Sequence, residues 1–170
     1  MSHRRLLIIM AIALSVGLLA ASCGDDAEAL TKPEFVEQAN AICQASQDEM
    51  DPLFDAVWAE FGDDADFDDP AVQDLVFVRF AEAIDDVKPI LDQQLDDIGA
   101  LEPPAEDKAF IETLIADQDA AFTEFARLLD AAASGDDEAR AMIDGEEDPF
   151  ADIDRRAREY GLTVCGSESD

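Results

Sequence analysis

Apolar residues recur along most of this chain at intervals of three and four, the spacing that gathers them on one face of a helix. In the first such stretch they fall at Phe35, Ala39, Ile42, Met50, Leu53, Val57 and Phe61, with Ser46 standing in the same stripe. Directly before it, Thr31-Lys32-Pro33-Glu34 has the form of a capping box, with Thr31 as N-cap and Glu34 three positions on, and Leu30 and Phe35 occupy the two hydrophobic-staple positions. Pro52 interrupts the run without shifting its phase, which predicts one kinked helix, or two nearly collinear ones with Asp51 capping the second.

The acidic stretch from Gly62 to Asp69 reads as a turn, and Asp69-Pro70 supplies an N-cap followed by proline at the first helical position. A second stripe follows at Val72, Val76, Phe80, Ala83, Val87, Leu91, Leu95 and Ile98, with Pro89 as an expected kink and Gly99 as the expected C-terminal cap. Pro103-Pro104 is expected to open a third helix whose apolar face carries Ile111, Leu114, Ala121, Phe125, Leu128 and Ala132, and Gly135 to end it. From Asp136 to Tyr160 the spacing continues at Ala139, Met142, Phe150, Ile153, Ala157 and Tyr160, divided by Gly145 and Asp148-Pro149. Gly161 stands where a helix ends in the left-handed conformation, with Leu162 placed to pack back on the last turn. Past the leader, only Leu162-Thr163-Val164 has a trace of strand-like alternation. The pattern predicts an all-α fold: an antiparallel four-helix bundle, up-down-up-down, with both ends at one pole.

The start of the chain is of another kind. Met1-Ser2-His3-Arg4-Arg5 precedes an apolar run from Leu6 to Ala21, too short for a comfortable membrane span and typical of a signal peptide. The run closes on Leu19-Ala20-Ala21-Ser22-Cys23-Gly24, which resembles a lipobox, although Ala20 stands where a larger aliphatic residue is usual. The expected product is cut before Cys23, carries lipid on Cys23 and stays on the extracytoplasmic face of the cell membrane. Arg4-Arg5 leaves both the general secretory and the twin-arginine routes open. The expected organisation is a leader over 1–22, an acidic tether over 23–30, a helical domain over 31–166 and a short tail over 167–170.

Charge narrows the partners. The chain has 11 Lys and Arg against 42 Asp and Glu, and without Arg4 and Arg5 the balance is 9 against 42, a net of −33. Such a surface repels nucleic acid and anionic lipid head groups. It does not imply disorder, because 48% of the residues are hydrophobic and they keep helical spacing.

With Cys23 assigned to lipid, Cys43 and Cys165 remain as an even pair in an oxidising compartment, and a disulfide between them is expected. Cys43 lies about 18 Å along the first helix from Thr31 at 1.5 Å per residue. Four residues of extended chain after Gly161 reach about 13 Å. The lengths are compatible, so the tail is expected to strap the base of the bundle.

Candidate chemistry is sparse. The only histidine is His3, inside the leader, which removes histidine-dependent nucleophilic catalysis, histidine-ligated zinc and the Glu-x-x-His metal motif from the exported chain. Asp64, Asp66 and Asp68 have the spacing that begins a calcium loop, but Asp69 replaces the glycine and Leu75 the bidentate glutamate, so no metal site is expected. Trp58, Phe61, Phe67, Phe77 and Phe80 are expected to pack in the core in preference to forming an exposed aromatic patch. Gln118, on the apolar stripe of the third helix, is expected to be a buried hydrogen-bonding residue.

Four short segments carry a resemblance: Leu30-Thr31-Lys32-Pro33-Glu34-Phe35, Ala39-Asn40-Ala41-Ile42-Cys43, Leu101-Glu102-Pro103-Pro104-Ala105, and Tyr160-Gly161-Leu162-Thr163-Val164-Cys165-Gly166. Together they resemble a family of uncharacterised small exported proteins of actinobacteria. The resemblance implies a secreted or lipid-anchored helical domain with paired cysteines and brings no catalytic residues; Asn40 is expected to bond to the returning tail. The function expected from all of this is a membrane-anchored envelope lipoprotein. It would be non-enzymatic and without cofactor, a protein-interaction or structural module whose partner is another envelope protein and not nucleic acid. The alternative is a solute- or cation-binding lipoprotein, and a hydrolase built on carboxylates alone comes third.

Overall fold

The capping box at the start of the first helix is formed: the Glu34 carboxylate accepts the Thr31 backbone N–H at 3.0 Å and the Thr31 hydroxyl at 2.6 Å. The computed structural model describes residues 29–62, 64–145 and 148–166. The expected leader, Cys23, most of the expected tether and the tail over 167–170 lie outside the described residues. The described chain forms five helices, α1 (Lys32–Phe61), α2 (Pro70–Ala100), α3 (Lys108–Ala133), α4 (Asp137–Ile143) and α5 (Ala151–Tyr160), and no strand.

Both internal prolines are carried within continuous helices. Pro52 and Pro89 lie on exposed faces, where the carbonyl each leaves without an N–H partner meets solvent instead of core. Asp69 caps α2 as the sequence predicts, its carboxylate accepting the Ala71 N–H at 2.9 Å.

Two boundaries differ from expectation. Gly99 does not end α2, which runs to Ala100 and is capped by Leu101 in extended conformation. The stop comes from the prolines: Pro103 and Pro104 disfavour helical geometry in the residue before each. Nor do they open α3. Pro103 is buried, and a turn closed by Asp107 N–H on Pro104 O at 2.9 Å precedes the first helical residue, Lys108.

Neighbouring helices α1, α2 and α3 pack in succession, and α4 and α5 both lie against α3. The core has two halves. One joins Phe35, Ala39 and Cys43 of α1 to Ile98, Ile111, Leu114, Ile153, Ala157, Tyr160 and Leu162. The other joins Ile84, Val87, Leu91 and Leu95 of α2 to Phe122 and Leu129 of α3, with Met50, Phe54, Phe80 and Phe150 packed against them. On α3 the buried line is Ile111, Leu114, Phe122, Leu129 and Ala132, whereas the expected Ala121, Phe125 and Leu128 are half-buried. With α2 on one side and α4 and α5 on the other, α3 has a wide apolar face, and neighbours decide which of its lines lies deepest.

The last stretch is divided where glycine and proline signals fall. Asp136 caps α4 by accepting the N–H groups of Glu138 and Ala139, and Asp148 accepts the Phe150 N–H at 2.8 Å just before α5. At the end of α5, Gly161 takes φ +118°, which only glycine adopts freely, and the next N–H, of Leu162, closes on Ala157 O at 2.9 Å. Leu162 turns inward and is buried.

Candidate functional site

The paired cysteines close the molecule at one end. Cys43 and Cys165 form a disulfide with their Cα atoms 5.2 Å apart, so residues 122 positions apart in the chain are bonded. Asn40, one turn earlier on α1, donates to Gly161 O at 3.1 Å and accepts the Val164 N–H at 3.0 Å. Gln47 donates to Val164 O at 2.9 Å and Arg158 to Gly166 O at 2.7 Å. Gly166 lies so close to α5 that a Cβ there would fall 2.6 Å from Asp154 O. The strap is therefore fixed along its length by α1 on one side and α5 on the other.

The segment just before α1 meets the same end, where the Leu30 N–H donates to Glu102 O at 2.8 Å. Tyr160 is central to it: the hydroxyl donates to Asp107 at 2.8 Å, Lys32 Nζ lies 3.8 Å above the ring, and Phe35 and Phe110 flank it. Burial first, and the bond to Asp107 second, push its phenol well above the ordinary tyrosine range. Tyr160 thus stays neutral and serves as a pin between α3 and α5.

The far end, about 40 Å along α1 at 1.5 Å per residue, is aromatic. Trp58 touches Phe61, Phe67 and Phe80, at centroid distances of 6.4, 6.1 and 5.0 Å. Here the expectation of core packing fails in part: Trp58 is 50% exposed and Phe67 46%, while Phe61, Phe77 and Phe80 are half-buried. The chain reverses direction here, so α1 and α2 cover only the inner sides of these rings. Among the described residues, the other exposed large apolar side chains, Leu75 and Met142, are near the same end. The arginines of this half are paired: Arg79 with Glu60 and Glu82, Arg127 with Glu124, and Arg140 with Asp74.

Two carboxylates of the acidic loop beside the aromatics are bonded to backbone N–H groups nearby. Asp66 accepts the Asp68 N–H at 3.1 Å, and Asp69 caps α2. No three carboxylates converge as metal ligands among the described residues.

A cleft of about 330 Å³ runs between α1 and α2, floored by Ala41, Ala45 and Ser46 and flanked by Glu49 and Asp97. Ser46 Oγ is turned onto Ile42 O at 3.2 Å. A smaller cavity of about 50 Å³ lies between α2, α3, α5 and the strap, with Gln94, Gln118 and Asp154 among apolar side chains. That space suits roughly three waters at ~15 Å³ each, against ~300 Å³ or more for a solute pocket. Gln118 is half-buried at its wall, and its side chain makes no hydrogen bond among the described residues, unlike the bonded residue expected there. The Asp154 carboxyl is raised above the ordinary aspartate range by burial first and by Asp148 second, against the opposing charge of Arg158.

No protein-family model, curated protein or solved structure matches the chain.

Proposed function

We propose that this chain is a lipoprotein anchored through Cys23 to the extracytoplasmic face of the cell membrane, and that its helical domain is a non-enzymatic module for protein interaction or structural spacing. The observation that carries the reading is the separation of the two ends. The start of α1 and the disulfide strap share one end, and the exposed Trp58 and Phe67 stand at the other. Five residues lie between Cys23 and Ala29, so lipid on Cys23 would hold the strapped end within about 20 Å of the bilayer, at ~3.3 Å per residue step, and turn the aromatic end outward.

In this reading the domain is the up-down-up-down four-helix bundle, with α4 and α5 as the two pieces of its fourth arm. Three contacts support the alternation: Leu30 beside Glu102, Glu60 beside Arg79, and Asp117 beside Arg156. A non-enzymatic role is supported by the lack of histidine beyond His3 and by the engagement of Ser46 and Tyr160 with structural partners. The resemblance to small exported actinobacterial proteins agrees with it. One observation favours the second reading, a solute- or cation-binding lipoprotein: the cleft flanked by Glu49 and Asp97 reaches the lower bound of solute-pocket volumes.

Membrane fractionation, with the mass of the N-terminal peptide, tests the anchor. Native protein should sediment with membranes and begin at a lipid-modified Cys23. Cys23→Ser should release or mislocalise the protein while its helical circular dichroism and melting stay unchanged. An unmodified Cys23 in exported native protein overturns the reading.

A further inference from the structure

We infer that the exposed aromatic end is a docking site for a protein segment carrying lysine or arginine beside apolar side chains, an inference that gives a partner chemistry to the interaction reading above. Trp58, Phe61 and Phe67 are in mutual contact, with Phe61 and Phe67 6.0 Å apart between ring centroids. The loop that carries Phe67 is fixed from below: Gln73 donates to Phe67 O at 2.9 Å, and Asp69 holds the start of α2. The platform is therefore formed before any partner arrives, and little rotamer freedom is lost on docking. Large aromatic side chains with one face open are the residue type that dominates interface energies, tryptophan above all.

The rim decides what covers it. Glu60, Asp64, Asp66 and Asp68 stand on exposed positions within three residues of Phe61 or Phe67 in the chain, while Arg79 is already paired with Glu60 and Glu82. A second copy would bring the same carboxylates against these, and an anionic bilayer would be repelled likewise. Lysine or arginine is attracted by both parts of the site, by the carboxylates through charge and by the indole face through cation–π contact. Apolar neighbours on the same segment would cover the remaining ring surface.

Trp58 is the chain's only tryptophan, so its emission reports on the site directly. The test uses the full-length protein purified from its host envelope, in phosphatidylcholine vesicles if anchored or in buffer if released. It is titrated with a short Lys/Leu peptide and, separately, with a Lys/Ser peptide of equal charge. Trp58 emission should shift to the blue with Lys/Leu, and calorimetry should give at least about tenfold tighter binding than with Lys/Ser. Phe67→Ser, at an exposed loop position, should abolish that advantage while preserving the Lys/Ser affinity and the helical circular dichroism. Equal affinity for the two peptides, an advantage that survives Phe67→Ser, or self-association through Trp58 overturns the inference. Failure of the anchor does not touch this test, since the released protein is titrated in the same way.

Discussion

The amide oxygen of Asn40 accepts the backbone N–H of Val164 at 3.0 Å, a bond between residues 124 apart in the chain. With the Asn40 amide donating to Gly161 O at 3.1 Å, one side chain on α1 satisfies two backbone groups of the strap. Asn40→Ala leaves both groups without their partner in a part-buried place. Stability should fall by about 1–3 kcal/mol in urea melts with the disulfide intact. A melt indistinguishable from the native one would show that solvent replaces the clamp at no loss.

Reduction of the Cys43–Cys165 bond should lower stability by about 3–5 kcal/mol, because a closed loop of roughly 100 residues lies near 4.7 kcal/mol on the chain-entropy relation. Cys43→Ala with Cys165→Ala should retain the helical circular dichroism, since Asn40, Gln47 and Arg158 still hold the strap. Mass spectrometry of unreduced exported protein checks the bond. Free thiols at both positions would remove the basis of this prediction.

Asp154 is held above the ordinary aspartate range, first by burial and second by Asp148. A carboxyl raised in the fold contributes stability that is complete below its unfolded value, about 3.9, and is lost as pH rises through the folded value. At neutral pH the charged Asp154 therefore opposes folding. Asp154→Asn should melt higher than native at pH 7, by less than about 1 kcal/mol given its partial exposure, and the difference should close as pH falls below about 4. A gap that widens in acid would contradict the assigned cause.

Without Arg4 and Arg5, 9 basic residues face 42 acidic ones, and the net of −33 opposes the compact state. Screening over a Debye length of about 10 Å at 0.1 M salt should raise the melting temperature as sodium chloride is added. Magnesium and calcium should act alike, with effects that fade at high sodium chloride, because Asp66 and Asp69 are engaged with loop backbone. Calcium-selective stabilisation that survives high salt and vanishes when Asp64, Asp66 and Asp68 become Asn would instead establish a specific cation site.

What the sequence determined by itself is local and covalent. The Thr31–Glu34 box, the Asp69 cap, the Gly161 ending and the phase of α1 and α2 arise from hydrogen bonds and periodicities within a few residues, so each is legible without knowing what packs on what. Cys43 with Cys165, and Asn40 with the tail, were legible for a different reason: few residues of that chemistry exist, and chain lengths restrict where they meet. Tertiary structure alone decided the rest. Which line of α3 lies deepest depends on α2, α4 and α5 covering a face wider than one stripe. Gly99 remains helical because the prolines after it set the stop, and α2 passes α3 there, with Ile115 Cδ1 3.9 Å from where a glycine Cβ would stand. Trp58 and Phe67 carry the same apolar signal as the buried Phe35, yet they stand at an end of the molecule where, among the described residues, no further element closes over them. Hydrophobicity fixes what a side chain gains from burial, but only the number of neighbours that the fold brings to its position fixes whether burial occurs.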